Sequence, residues 1–229
     1  MAVVAIPSLE RIIRDVRIRL NQPKAENSRW SDTELTEYIN EAIQQMFLVV
    51  NEICEGQFDA ATTLNTTSGT ETVALPTDCF AVKVLYYKQG TLNRRLEYRQ
   101  DVTSDYQNTT STSGEANYEP YYFIRGTNLV LRPIPGFTST SGPLVLEYTR
   151  YPDVLVYGGD LMTSGISPLF KQVVVAYAVT EAKRKDDLVT GGNSRTAAES
   201  HLSDLWTNFR HQVSERSKAP QYIRPYAPY

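Results

Sequence analysis

The sequence predicts an α+β protein: an antiparallel helical bundle built from both chain ends, an inserted antiparallel β module, and an extended C-terminal arm. Three observations carry this. Apolar residues recur at helical spacing up to residue 56 and again from 160 to 217. Between them, from 57 to 159, apolar runs are short or alternating and are separated by turn residues. From 218 to 229, Pro220, Pro225 and Pro228 forbid a helix.

The first helix is expected over 8–21. Leu9, Ile12, Ile13, Val16 and Leu20 form its apolar stripe, and Ser8 after Pro7 is placed to cap it. Arg11, Arg14, Arg17 and Arg19 interleave with the stripe, either as a solvated face or as a contact surface for acidic groups or DNA phosphate. Pro23 lies in the polar loop that follows. The second helix, expected over 32–54, has the clearest local signal. Ser31 and Glu34 form a capping box, flanked by Trp30 and Leu35 as a hydrophobic staple. Leu35, Ile39, Ala42, Ile43, Met46, Phe47 and Val50 then make one broad stripe.

A third helix is expected to start at Ser167-Pro168, as cap and first-turn proline. Leu169, Phe170, Val173, Val174, Val175, Ala176, Tyr177, Ala178 and Val179 make it apolar on nearly all sides, so it reads as the central helix. It is expected to run out in Lys183-Arg184-Lys185, where positive charge suits a helix C-terminus. After Gly191-Gly192, Asn193 or Ser194 can cap a last helix with Leu202, Leu205, Trp206, Phe209 and Val213 on one face.

In the middle, strands are expected at 58–64, 71–75, 81–88, 92–98, 120–124, 128–132 and 144–151. Gln89-Gly90 and Gly126-Thr127 read as hairpin turns. The pentapeptide Thr-Ser-Thr-Ser-Gly occurs at 110–114 and 138–142 and reads as loop composition. Ten of the fifteen tyrosines fall between Tyr86 and Tyr157. The pairs Tyr86-Tyr87 and Tyr121-Tyr122 each offer one ring to either face of a strand. An outward ring suits a protein interface or a carbohydrate site, and tyrosine is also simply a good strand former.

The arm carries Lys218, Pro220, Tyr222, Ile223, Arg224, Pro225, Tyr226 and Tyr229 with no acidic residue. Such a segment can dock in a neighbour's groove as an extended peptide, or fray without a function.

Bulk properties set the class. At 229 residues, 41% hydrophobic and 21% charged, the chain has the composition of a globular domain, or of one domain plus an insertion. A net charge of −3 supplies no basic field for nucleic acid. No apolar run is long enough to span a bilayer, so no membrane role is expected. The start, Met1 to Ile6, is apolar but short and lacks a basic leader, which argues against a signal peptide. Cys54 and Cys79 are isolated and read as buried thiols in a reducing compartment, with a single disulfide as the other option.

Catalytic chemistry is not visible. GxSxG, P-loop, GxGxxG and HExxH motifs are all missing, so neither an enzyme nor a cofactor nor a metal site is expected. His201 and His211 sit ten residues apart on one expected helix, which is the wrong spacing for a metal pair. Asp101 and Asp105 read as a short capped turn around Thr103-Ser104. The triplets Asn65-Thr66-Thr67 and Asn108-Thr109-Thr110 match the glycosylation pattern by chance.

Three stretches stand out. They are Trp30-Ser31-Asp32-Thr33-Glu34-Leu35 with Tyr38-Ile39-Asn40-Glu41-Ala42, then Leu75-Pro76-Thr77-Asp78-Cys79, and Gly126 to Pro135 (Gly-Thr-Asn-Leu-Val-Leu-Arg-Pro-Ile-Pro). In these, and in the strand Leu144 to Pro152 and the 167–186 helix, the chain resembles the head-to-tail adaptor proteins of tailed bacteriophages, including the tail tubular protein A type. The resemblance implies a virion protein of the head–tail junction, assembled in the host cytoplasm as a homo-oligomeric ring, a dodecamer, beneath the portal protein. It implies that 218–229 is the portal-docking arm. It also implies that the β module, with Tyr86, Tyr87, Tyr121 and Tyr122, faces a downstream nozzle or tail tubular protein. DNA would pass through the ring without sequence-specific binding, and overall acidity suits a lumen in which it slides. Two other classes remain open on the residues: a glycan-binding tail or capsid decoration protein using exposed tyrosines, and a hydrolase with an unfamiliar carboxylate pair.

Overall fold

The structure is a computed structural model that describes residues 7–22, 29–89, 92–100, 120–132, 134–135, 139–190 and 195–218. It is α+β and divides into two compact units. One comprises the described residues up to Phe58 and those from Pro152 onward; the other is Asp59–Tyr151.

The first unit holds helices α1 (Leu9–Arg19), α2 (Asp32–Ile53), α3 (Lys171–Thr190) and α4 (Arg195–Lys218). The start of α2 follows from its capping box. Ser31 Oγ accepts from the Glu34 N–H at 3.1 Å, and the Glu34 carboxylate accepts from the Ser31 N–H in return. Trp30 and Leu35 are both buried beside it, as a staple requires. At 22 residues, α2 is about 33 Å long, and it buries Leu35, Ile39, Ile43, Met46 and Phe47 along that length. Helix α3 packs against α1, α2 and α4. Its buried Val173, Val174, Val175, Ala176, Ala178 and Val179 cover most of its circumference, so it is central, as its sequence implies. Phe209 and Val213 of α4 complete this core, with Leu205 and Trp206 only half-buried against it.

Four details differ from the sequence reading. Leu169 lies in a 3-10 turn, Pro168–Phe170, and is 68% exposed, because the turn precedes α3 and points it away from the core. The Lys183-Arg184-Lys185 run is internal to α3, since no breaker follows until Gly191. Arg17 is not solvated but 5% exposed: it donates to Asp32 Oδ1 at 2.5 Å and to the Trp30 carbonyl at 3.1 Å, tying α1 to the start of α2. Lastly, residues 152–166 carry no helical period, yet they deliver Leu155, Leu161 and Ile166 to the helical core.

Asn40 fixes that last segment. Its Nδ2 donates to the Leu155 carbonyl at 3.1 Å and its Oδ1 accepts from the Leu155 N–H at 2.8 Å. One side chain thus takes the place of a missing strand partner for both backbone groups of one residue, Leu155. Leu9 N–H donates to the Gly159 carbonyl, and the Gly158 N–H donates to Glu10, which holds that carboxyl below its ordinary range.

The second unit holds two four-stranded sheets. One runs β1 (Asp59–Thr66), β8 (Ser139–Arg150), β3 (Cys79–Gln89), β4 (Leu92–Arg95) and is antiparallel throughout. The other runs β2 (Thr72–Ala74), β7 (Asn128–Arg132), β6 (Tyr121–Arg125), β5 (Glu97–Tyr98). Here the β5–β6 pair is parallel, a departure from the expected antiparallel module. A parallel pair needs a crossover of a dozen or more residues, and the long chain between Tyr98 and Tyr121 supplies it. Leu85, Leu96, Tyr122, Leu129, Leu131, Leu144, Leu146 and Tyr148 draw both sheets into one core.

Ser139 to Gly142 belong to β8 and not to a loop. The strand continues past a register shift between Leu64 and Thr66, where Asn65 Oδ1 accepts from the Gly142 N–H. Gly142 has φ +64, and a Cβ there would lie 2.7 Å from Thr63 Cβ, so only glycine fits. The Gly126-Thr127 turn joins β6 to β7 as expected, with Gly126 at φ +61. The Gly90 turn, the 110–114 pentapeptide, Asp101, Asp105, Asn108 and the candidate caps Asn193 and Ser194 lie outside the described residues.

Candidate interaction surfaces

The aromatic strands sort by pleat. In β3, Leu85 and Tyr87 face the core and Tyr86 is half-buried on the other side. In β6, Tyr122 is buried at 3% exposure and Tyr121 is half-buried. Tyr122 is therefore a core residue, and burial pushes its phenol up from the ordinary value. Tyr121 offers one ring face to the Arg99 guanidinium, 4.4 Å from its centroid, and Arg99 is itself held by Glu97. Of the four tyrosines named from sequence, Tyr86, Tyr87 and Tyr121 are half-buried and retain some exposed surface, Tyr87 while packing against the core, and only Tyr122 is buried.

Other aromatics supply more. Tyr98 is half exposed and meets Tyr122 edge-on at 5.6 Å, beside a recess of about 360 Å³ lined by Arg95, Leu96 and Glu97. Phe80 and Tyr151 form a second exposed edge-to-face pair at 5.1 Å. On β6 and β7, Arg125 and Arg132 stand over Phe123, and Glu71 pairs with both arginines.

The stretch Leu75 to Cys79 joins β2 to β3, and its conformation is built in. Cys79 N–H donates to the Pro76 carbonyl, Tyr151 N–H to the Asp78 carbonyl, and the Tyr148 hydroxyl to the Asp78 carboxylate at 3.2 Å. Burial and then the Asp78 charge raise the Tyr148 and Cys79 pKa values. Both Cys79 and Cys54 are free thiols, half-buried where the sequence suggested full burial.

In the helical unit, sequence reasoning missed an apolar surface. Val154, Val156, Tyr157, Met162 and Leu169 are exposed, Tyr157 at 88%. The Asn40 and Glu10 bonds hold this backbone, so the exposure is built into the fold. Clustered exposed apolar residues in a held loop suit protein contact. The apolar run Val154 to Tyr157 was the available signal, but it read as one more short apolar run of the expected β module, 57–159.

Lys218 is the last residue of α4. Pro220, Tyr222, Ile223, Arg224, Pro225, Tyr226 and Tyr229 lie outside the described residues. His201 and His211 are exposed on α4. Among the described residues, no group of three His, Cys, Asp or Glu is placed to hold a metal, and no helix is long and apolar enough to cross a membrane.

The chain matches a family model described as SU10 adaptor protein over residues 8–225. No curated protein matches it.

Proposed function

The chain belongs to the SU10 adaptor protein family, whose members are bacteriophage adaptors, and from that premise we propose that it is the head-to-tail adaptor of a phage particle. In this reading, copies form a ring, a dodecamer, between the portal protein and a nozzle or tail tubular protein, and DNA leaves through its channel. The four helices act as an antiparallel bundle that forms the body of each subunit. Residues 219–229, continuing from Lys218, anchor the ring to the portal, and the aromatic β unit faces the tail. The role is structural and has no catalytic step.

The observation that supports this best is the extent of the family match, which runs from the first helix through both units and into the arm as far as residue 225. The arm's composition adds to it. Its tyrosines and Ile223 offer contact area, and its prolines lower the entropy lost on docking. The net charge of −3 accords with a channel that does not grip phosphates.

A glycan-binding role for the tyrosines has less support. Tyr122 is buried, and one face of Tyr121 is already occupied by Arg99. Sugar stacking needs an open ring face.

The test uses full-length protein and a 1–218 truncation, each mixed with the purified portal ring of the same phage. Full-length protein is expected to sediment with the portal and the truncation to remain free while melting normally. Equal binding by both discards the arm as anchor. Binding by neither discards the portal contact.

A further inference from the structure

We propose that the exposed face of α1 docks on the exposed face of α2 in a second copy of this chain, so that copies join head to tail. The inference rests on the ring reading and names the surfaces that would form it.

Arg11, Arg14 and Ile18 are exposed on α1 and fall within an arc of about 60° at 100° per residue. On α2, the exposed Glu37, Glu41, Gln44, Leu48 and Glu52 fall within about 80°. Each face thus has an apolar residue among charges of one sign. Ile18 is 56% exposed and Leu48 47%. Among the described residues, Arg11 and Arg14 have no carboxylate within ion-pair distance, and neither Glu37 nor Glu52 has a basic partner. Glu41 accepts from the Tyr177 hydroxyl and still reaches solvent.

Spacing matches as well as sign. Seating Ile18 on Leu48 sets Arg11 opposite Glu41 when the helices run parallel, because both lie seven residues before the apolar residue. When they run antiparallel, Arg14 stands four residues from Ile18 and meets Glu52, four residues from Leu48. Contact of either face with its own copy would oppose like charges, which disfavours a two-fold dimer. The two faces of one chain are both exposed and so do not meet each other. What remains is a heterologous contact, which forms a ring when its rotation closes.

The test is cysteine cross-linking of the full-length protein. Cys54 and Cys79 are changed to Ser, Ile18→Cys and Leu48→Cys are added, and variants are used only if they melt like the parent. Disulfide formation requires the two Cβ atoms to approach to about 4 Å. Oxidation is expected to give a ladder of dimer, trimer and higher species on a non-reducing gel. Chains with only one of the two new cysteines should stay monomeric alone and stop at dimer when mixed. The charge reversal R11E/R14E should abolish the ladder, and adding E41K/E52K should restore it.

Monomer throughout overturns the proposal, and would leave the α2 face to the DNA channel or to the basic arm. A dimer from either single-cysteine chain also overturns it, because it shows a two-fold contact. Detection of the wild-type chain in purified virions is scored separately. Its presence without a ladder discards this contact alone, whereas its absence from virions discards the adaptor reading.

Discussion

Asn40 offers the sharpest check on how the helical unit is held together. Its side-chain amide makes two hydrogen bonds with the backbone N–H and C=O of one residue, Leu155, at 2.8 and 3.1 Å, and Leu155 itself is 2% exposed. Asn40→Leu keeps the volume but removes both bonds and leaves a buried N–H and C=O without partners. At about 1 kcal/mol for each lost bond, with a further desolvation cost for the orphaned groups, the change should destabilise by about 2–4 kcal/mol. Asn40→Ala should cost less, because it lets water reach those groups. Both tryptophans, Trp30 and Trp206, lie in the helical unit, so their fluorescence follows this unit alone during urea unfolding. With a slope of about 2 kcal/mol per molar urea, Asn40→Leu should lower the midpoint by about 1–2 M. It should also speed amide exchange at 154–158, since the exposed Val154, Val156 and Tyr157 lose their anchor. A midpoint equal to that of the wild type, or Asn40→Ala proving worse than Asn40→Leu, would refute the reasoning.

Other predictions follow from buried groups. Arg17→Met should cost about 1–3 kcal/mol by chemical denaturation, because the Trp30 carbonyl loses a buried donor, while the exposed Asp32 recovers solvation. Val174→Asp, at a position with no exposed surface, should prevent the helical unit from folding cooperatively, whereas Leu205→Asp at a half-buried site should only lower the melting temperature. Equal effects of the two would mean that the α4 face is assigned wrongly. Burial opposes ionisation of Glu34, but Lys185, Tyr38 and the Ser31 N–H outweigh it and hold the carboxyl below its ordinary 4.5. The unfolded chain therefore takes up this proton first, so the stabilisation is present above pH 4.5 and is lost as pH falls below it. Melting temperatures of wild type and Glu34→Gln should converge across that window. Burial and the Glu34 contact push the Tyr38 phenol up to about 12, so its stabilisation is complete below pH 10 and fades as pH rises toward 12, an effect Tyr38→Phe should remove.

What was legible in the sequence was local. The capping box at Ser31 and Glu34, the staple, the all-round apolar α3 and the Gly126 hairpin each depend on residues a few positions apart, and each reads directly from spacing. The non-local features were hidden. Nothing near Arg17 indicates that Asp32 and the Trp30 carbonyl will surround it, and its place among three other arginines suggested solvent. Asn40 looks like an ordinary polar helix residue until Leu155 arrives from 115 positions away. The same holds for β8, whose polar Ser139 to Gly142 start becomes strand only through Thr66 and Asn65. Pleat alternation correctly implied that one ring of Tyr121-Tyr122 turns inward, but it could not say which, and Tyr122 was the inward one. The family resemblance was carried by stretches whose physical roles are now visible: a helix start with Asn40, the Asp78 turn and a hairpin.

The most direct measurement of the central proposal is gold labelling of an affinity tag on this protein in intact, tailed particles viewed by electron microscopy. The account predicts label at one place on each particle, the junction of head and tail. Label spread over the capsid surface, confined to the distal tail, or missing from particles that carry a complete tail would contradict it.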